Sequence, residues 1–214
     1  MAAASAQTSI VIIILSLSVG FLSFYLMGDL SRKKKKIYME ELASQLMNFI
    51  IFMWIGKVLL NFPVFIKEPL TILAYPSNSH AFYLAVFFSV LTISIKSHRQ
   101  KVDAALFLNA FIHVFLLSSF VYEFIQIVWS NNTYSISYMG LLGVFIIAFV
   151  VLRVHMATYR LNIIMLVGWT LGTLGLAFFM PFTMVFGYTV APWFLSLILI
   201  FCLTVIILKR KKVS

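Results

Sequence analysis

The residues of this chain best suited to chemistry are ionisable side chains standing inside long apolar runs. Lys57 is one, His80 opens a second run, and a third run carries Asn109, His113, Glu123 and Gln126. At about 100° per residue, His113 and Glu123 fall about 40° to either side of Asn109, so one side of a helix carries all three. Gln126 continues that polar side. An ionised group at membrane depth costs several kcal/mol and turns toward the interior of a bundle. Lys57 lies about five residues, and Glu123 about six, from one end of its run, which is roughly 8 to 9 Å of helix.

These depths predict a Lys57–Glu123 pair near the outer leaflet, with His80 above it at the mouth of the next helix. The pair has two interpretations. It is a structural ion pair, because intramembrane charges need partners whether or not they act. Alternatively it walls a cavity for a lipid headgroup, with Lys57 as the headgroup ligand and His80 and Glu123 as catalytic candidates. A lysine ammonium binds phosphate as a point charge, and histidine moves protons near neutral pH. Taken alone, His80 also reads as an interfacial histidine facing water, and His113 as a neutral imidazole bonded to a neighbouring helix. The single cysteine, Cys202, excludes an internal disulfide and a cysteine-based metal site, and no spacing marks a cofactor.

The elements that must position these residues follow from composition. Of the 214 residues, 63% are hydrophobic and 10% charged, against about a quarter charged in a soluble domain. The solvent is therefore lipid. Sixteen Lys and Arg against six Asp and Glu give a net charge of +10. The basic residues sit in short runs between apolar stretches: Arg32 to Lys36; Lys96, Arg99 and Lys101; Arg153 and Arg160; and Lys209 to Lys212. That placement is the positive-inside pattern of cytoplasmic loops and argues against nucleic acid as a partner.

Counted at about 20 apolar residues per crossing, the sequence predicts an all-α, seven-helix transmembrane bundle forming one domain over 1–214. The N-terminus is expected outside and the C-terminus in the cytoplasm, because every basic cluster then falls on one side. The expected spans are 10–30, 44–62, 80–95, 103–129, 137–152, 162–186 and 193–208, with Pro181 bending the sixth near its outer end. No basic region precedes the first apolar run, so it is expected to stay as an anchor. The segment 63–79 holds Pro63, Pro69 and Pro76 and is expected to lie along the interface or dip back. Asn131-Asn132-Thr133 is a formal glycosylation triplet. Trp129, Tyr134, Tyr138, Tyr188 and Trp193 mark the outer boundary. Gly140, Gly143, Gly168, Gly172 and Gly175 are expected to permit close helix contacts.

Two longer runs resemble the bacterial prolipoprotein diacylglyceryl transferase family. Ile55-Gly-Lys-Val-Leu-Leu60, continuing through Phe65-Ile-Lys-Glu-Pro-Leu-Thr-Ile-Leu73 to His80, is similar to the family's I-G-A-R run, its N-P-L-E-I-L and its H-G-G. Ala191-Pro-Trp-Phe-Leu-Ser196 resembles the entry to the family's last helix. Other signatures depart. The G-R-x-G-N-F-x-N-G-E motif is replaced by Ser119-Phe-Val-Tyr-Glu-Phe-Ile-Gln-Ile-Val128, and Gly172-Thr-Leu-Gly175 stands where the family carries Y-G-x-x-R. Lys57 occupies an arginine position.

The resemblance implies a divergent relative in a bacterial cytoplasmic membrane, with membrane phospholipid, phosphatidylglycerol in particular, as partner. The family moves a diacylglyceryl group from phosphatidylglycerol to a lipoprotein cysteine. Loss of its arginines removes electrostatic stabilisation of the departing glycerol phosphate, and one such donor alone is typically worth about 100- to 1000-fold. Three classes of function stay open: a non-catalytic protein binding lipid or a partner membrane protein, a phospholipid-dependent transferase, and a small transporter or channel lined by the fourth span.

Overall fold

The computed structural model describes residues 2–74, 78–100, 103–130, 132 and 134–213. The elements in chain order are α1 (Ala2–Met27), α2 (Arg32–Leu60), α3 (Phe62–Lys67), α4 (Thr71–Ala74), α5 (Ser79–Gln100), α6 (Ala104–Ser130), α7 (Tyr134–His155), α8 (Thr158–Phe179), β1 (Met184–Val185), β2 (Tyr188–Thr189) and α9 (Pro192–Val213). Among the described residues six helices are long and apolar enough to cross a membrane, within α1, α2, α5, α6, α7 and α8. In α9 the described apolar stretch is Pro192–Val205, shorter than those six. This is the helical, apolar architecture of a polytopic membrane protein.

Proline sets several boundaries. None of the four prolines among the described residues stands inside a long helix: Pro63 lies in the first turn of α3 and Pro192 is the first residue of α9, where a missing N–H costs nothing. Pro181 acts differently from the bend anticipated for it. A residue preceding proline is pushed out of the α region, and Met180 is extended at φ −117°, ψ 146°, so α8 stops at Phe179 instead of running to 186. The freed residues form an antiparallel hairpin that pairs Met184 with Thr189 and Val185 with Tyr188. Phe186 and Gly187 make its two-residue turn, both with positive φ, 50° and 82°, the handedness that suits a hairpin's twist.

Arg32 to Lys36 are also placed differently. The expected second span begins near 44, whereas α2 starts at Arg32 and runs 29 residues, about 43 Å of helix. That exceeds the roughly 30 Å hydrocarbon core, so its basic first turns project beyond the membrane. Segment 63–79 holds the short helices α3 and α4; the side chains of α3 are exposed or half-buried, while Ile72 of α4 is 2% exposed.

The chain divides into two compact units, 1–35 with 108–214, and 36–107. In the larger unit α1 packs on α6 so closely that a Cβ on Gly20 would lie 2.1 Å from Ser118 Oγ. Ser23 Oγ and His113 Nε2 are 3.1 Å apart across the same pair of helices, and the His113 ring stands edge-on to Phe24 and Phe149. The histidine is thus bonded to a neighbouring helix. Asn109 Nδ2 donates to Asn162 Oδ1 at 3.1 Å and ties α6 to α8. The carbonyl end of α1 receives two cations, Lys35 Nζ on Tyr25 O at 2.7 Å and Arg153 Nη1 on Met27 O at 3.0 Å. Positive charge there complements the helix dipole.

Gly168 and Gly172 of α8 face α7, where added Cβ atoms would meet Phe145 at 2.8 Å and Leu141 at 2.7 Å. The same role fails for Gly140 and Gly175, around which such an atom would meet nothing within 4 Å. In the smaller unit Gly56 of α2 lies against the Ala81 backbone of α5. Lys96 Nζ reaches Glu41 Oε2 at 2.6 Å, and Gln45 Nε2 donates to Glu41 Oε1 at 2.9 Å.

Candidate functional site

A cavity in the larger unit lies where the last turns of α6, the first turns of α7 and the hairpin after α8 converge. Its volume is about 180 Å³, far above the roughly 10 to 15 Å³ that admits a single water. From α6 it is lined by Tyr122, Glu123 and Gln126, spaced three and four residues apart on one helix side. Asn132, Tyr134, Ser135 and Tyr138 come from the start of α7 and the residues before it. Phe182, Thr183, Met184 and Gly187 come from the hairpin segment that exists because α8 ends early.

Glu123 is the one charged residue in this wall and is 3% exposed. The Ser135 side chain hydrogen-bonds its carboxyl. A carboxylate has acceptor sites for about four hydrogen bonds, so one serine leaves acceptor capacity for a ligand. Among the described residues of the larger unit, no lysine, arginine or histidine lines the cavity.

The two buried phenols are held from behind. Gln126 Nε2 donates to Tyr122 Oη and Trp169 Nε1 to Tyr138 Oη, each at 3.1 Å. Their rings are consequently oriented before anything enters. Gly187 comes within the same grip: a Cβ there would lie 2.8 Å from Tyr122 Oη, and its φ of 82° suits glycine alone. Phe186 holds the left-handed conformation at a cost typical of a non-glycine residue, and its ring packs on Tyr122 and Phe115 at 5.5 and 6.1 Å. Thr183 Oγ1 donates to Val190 O at 3.0 Å and closes the hairpin base.

Of the residues singled out from sequence, Glu123 and Gln126 reach this cavity, as do Tyr134 and Tyr138 of the boundary rings and Asn132 of the glycosylation triplet. Lys57 and His80 belong to the smaller unit. Lys57 is buried on α2, its ammonium 5.0 Å from the centroid of the Trp54 ring. His80, the second residue of α5, is exposed and meets Tyr83 edge-on at 5.9 Å. Asn109 and His113 lie among α1, α6, α7 and α8 and serve the helix packing described above. Tyr138, expected among the interfacial rings, is 4% exposed because its hydroxyl finds an indole donor inside the unit. In the glycosylation triplet, Asn131 and Thr133 lie outside the described residues, as do Pro76 and Lys101.

Sequence reasoning missed Tyr122, Ser135 and the hairpin wall. Tyr122 beside Glu123 and four residues before Gln126 was an available signal. The hairpin was not, since its wall depends on where α8 stops. Comparison with protein-family models, curated proteins and solved structures gives no match.

Proposed function

We propose that this chain is a seven-span lipid-binding protein of the bacterial cytoplasmic membrane, with its N-terminus outside and its C-terminus in the cytoplasm, and that the Glu123 cavity receives a phospholipid headgroup. The observation that carries the reading is a buried carboxylate in a cavity of about 180 Å³ with exposed rim residues, Tyr134 and Phe182. Polar groups at membrane depth ordinarily mark a pathway or a ligand. With α9 counted as a seventh crossing, the basic clusters all fall on one face, which supports the orientation. The cavity then opens at the outer leaflet. The bacterial membrane and the transferase-like bundle follow from the sequence runs given above.

Binding is favoured over group transfer because departure of a phosphate needs a preorganised cation. The described wall residues around Glu123 offer none.

The test is lipid mass spectrometry on protein purified from membranes, wild type against Met184→Trp, which fills the cavity from the hairpin side. The reading expects co-purified lipid to fall several-fold with helical content and thermal unfolding temperature unchanged. Equal lipid in both proteins overturns it.

A further inference from the structure

We infer that the Glu123 cavity takes an ammonium group, primary or quaternary, and rejects a bare phosphate. The inference rests on the binding reading of the same cavity and names the chemistry of what enters. Four aromatic side chains line the cavity together with the carboxylate: Tyr122, Tyr134, Tyr138 and Phe182. Aromatic rings attract a cation through the negative face of the ring, by about 0.5 kcal/mol at exposed sites to about 2 when desolvated. Tyr134 and Phe182 pack against each other at 5.2 Å between centroids, and both are exposed, 50% and 38%. Tyr122 and Tyr138 are each 4% exposed. The cavity thus runs from an exposed aromatic rim to two buried rings beside the carboxylate.

Charge selects in the same direction. An anion entering would meet the Glu123 carboxylate with no lysine, arginine or histidine among the described wall residues of the larger unit to offset it, and like charges at close range in a low-dielectric site repel strongly. An ammonium meets the opposite sign. It also completes the carboxylate's hydrogen bonding if it carries N–H groups, as Ser135 supplies a single donor hydroxyl. Two sources carry this chemistry: an ethanolamine or choline lipid headgroup in the outer leaflet, and a free amine from the external water. Phosphatidylglycerol, expected from the sequence runs, has no ammonium and should be the poorer ligand.

The experiment uses the full chain in detergent micelles, free of added lipid. Calorimetric titrations with tetramethylammonium chloride, ethylammonium chloride and sodium phosphate are run on wild type, Glu123→Gln and Phe182→Leu. Native mass spectrometry then scores retention of phosphatidylethanolamine, phosphatidylcholine and phosphatidylglycerol. The inference expects at least one ammonium salt to bind, phosphate not to bind, Glu123→Gln to weaken binding at least tenfold and Phe182→Leu two- to fivefold. Phe182 is exposed, so its variant keeps the fold if Glu123→Gln should not. Retention of all three lipids alike, with no response to either ammonium salt, overturns the inference and leaves the lipid reading standing. Ammonium binding without preferential retention of an ammonium lipid supports the inference with a soluble amine as source and removes the lipid. Neither ammonium binding nor lipid retention overturns both.

Discussion

Two carboxylates, one in each unit, are withdrawn from water and end up with opposite roles. Glu41 on α2 is 16% exposed in its side chain and is met by Lys96 Nζ at 2.6 Å and by the Gln45 amide. Almost no space remains beside it: the adjoining cavity measures about 10 Å³, at the lower edge of room for one water. Glu123 on α6 is 3% exposed, has the Ser135 hydroxyl, and borders about 180 Å³ with no base among its described lining residues. A carboxylate whose charge is matched in place is finished structurally. One that keeps open acceptor capacity beside a cavity is available to something that arrives. The same residue type therefore acts as a clamp at one place and a receptor at the other, and the difference lies wholly in its neighbours.

The largest loss is expected at the clamp. Lys96→Met leaves Glu41 partly buried without its cation, and the loss should be about 2 kcal/mol, below the 3 to 5 of a fully buried pair because both side chains retain some exposure. Denaturant titration followed by helical circular dichroism measures it. The double variant Glu41→Leu with Lys96→Met should recover most of that loss, and no recovery would mean the lysine acts through something other than this pair. Next in size is Gly187→Ala, which forces a Cβ onto a φ of 82° and to within 2.8 Å of Tyr122 Oη. About 1 to 2 kcal/mol of stability should go, with weakened binding in the cavity because the Tyr122 ring must move.

Trp169→Phe removes the donor to Tyr138 Oη while keeping a ring against Phe115. About 1 kcal/mol is expected, read as a lower unfolding temperature, with ammonium binding reduced less than by Glu123→Gln. The smallest effect sharpens the contrast. Glu123→Gln should change stability by less than about 0.5 kcal/mol, because it removes a charge that lacks a cation in its wall and leaves Ser135 an amide oxygen to bond. A loss as large as that of Lys96→Met would make Glu123 a second clamp and remove the distinction between the two sites.

Much of the helical architecture was legible because lipid exposure imposes long apolar runs, and charges between them can be read directly. Local chemistry also reached parts of the site. The i, i+3 and i, i+4 spacings that put Tyr122, Glu123 and Gln126 on one side of α6 are properties of the helix itself, and the polar side through Asn109 was visible for the same reason. The pairing of Lys57 with Glu123 was inferred from depth alone.

The sequence by itself determined that the chain lives in a membrane, where its apolar helices lie, and which few residues are costly to place there, since these follow from composition and helical periodicity without knowledge of packing. Only the tertiary structure decided which costly residue adjoins a cavity. Pro181 stops α8 at Phe179, the hairpin folds over Tyr122, and Ser135 of α7 meets Glu123. Those contacts join segments 12 to 65 residues apart in the chain, and a cavity is the space such segments leave between them, which no local pattern encodes.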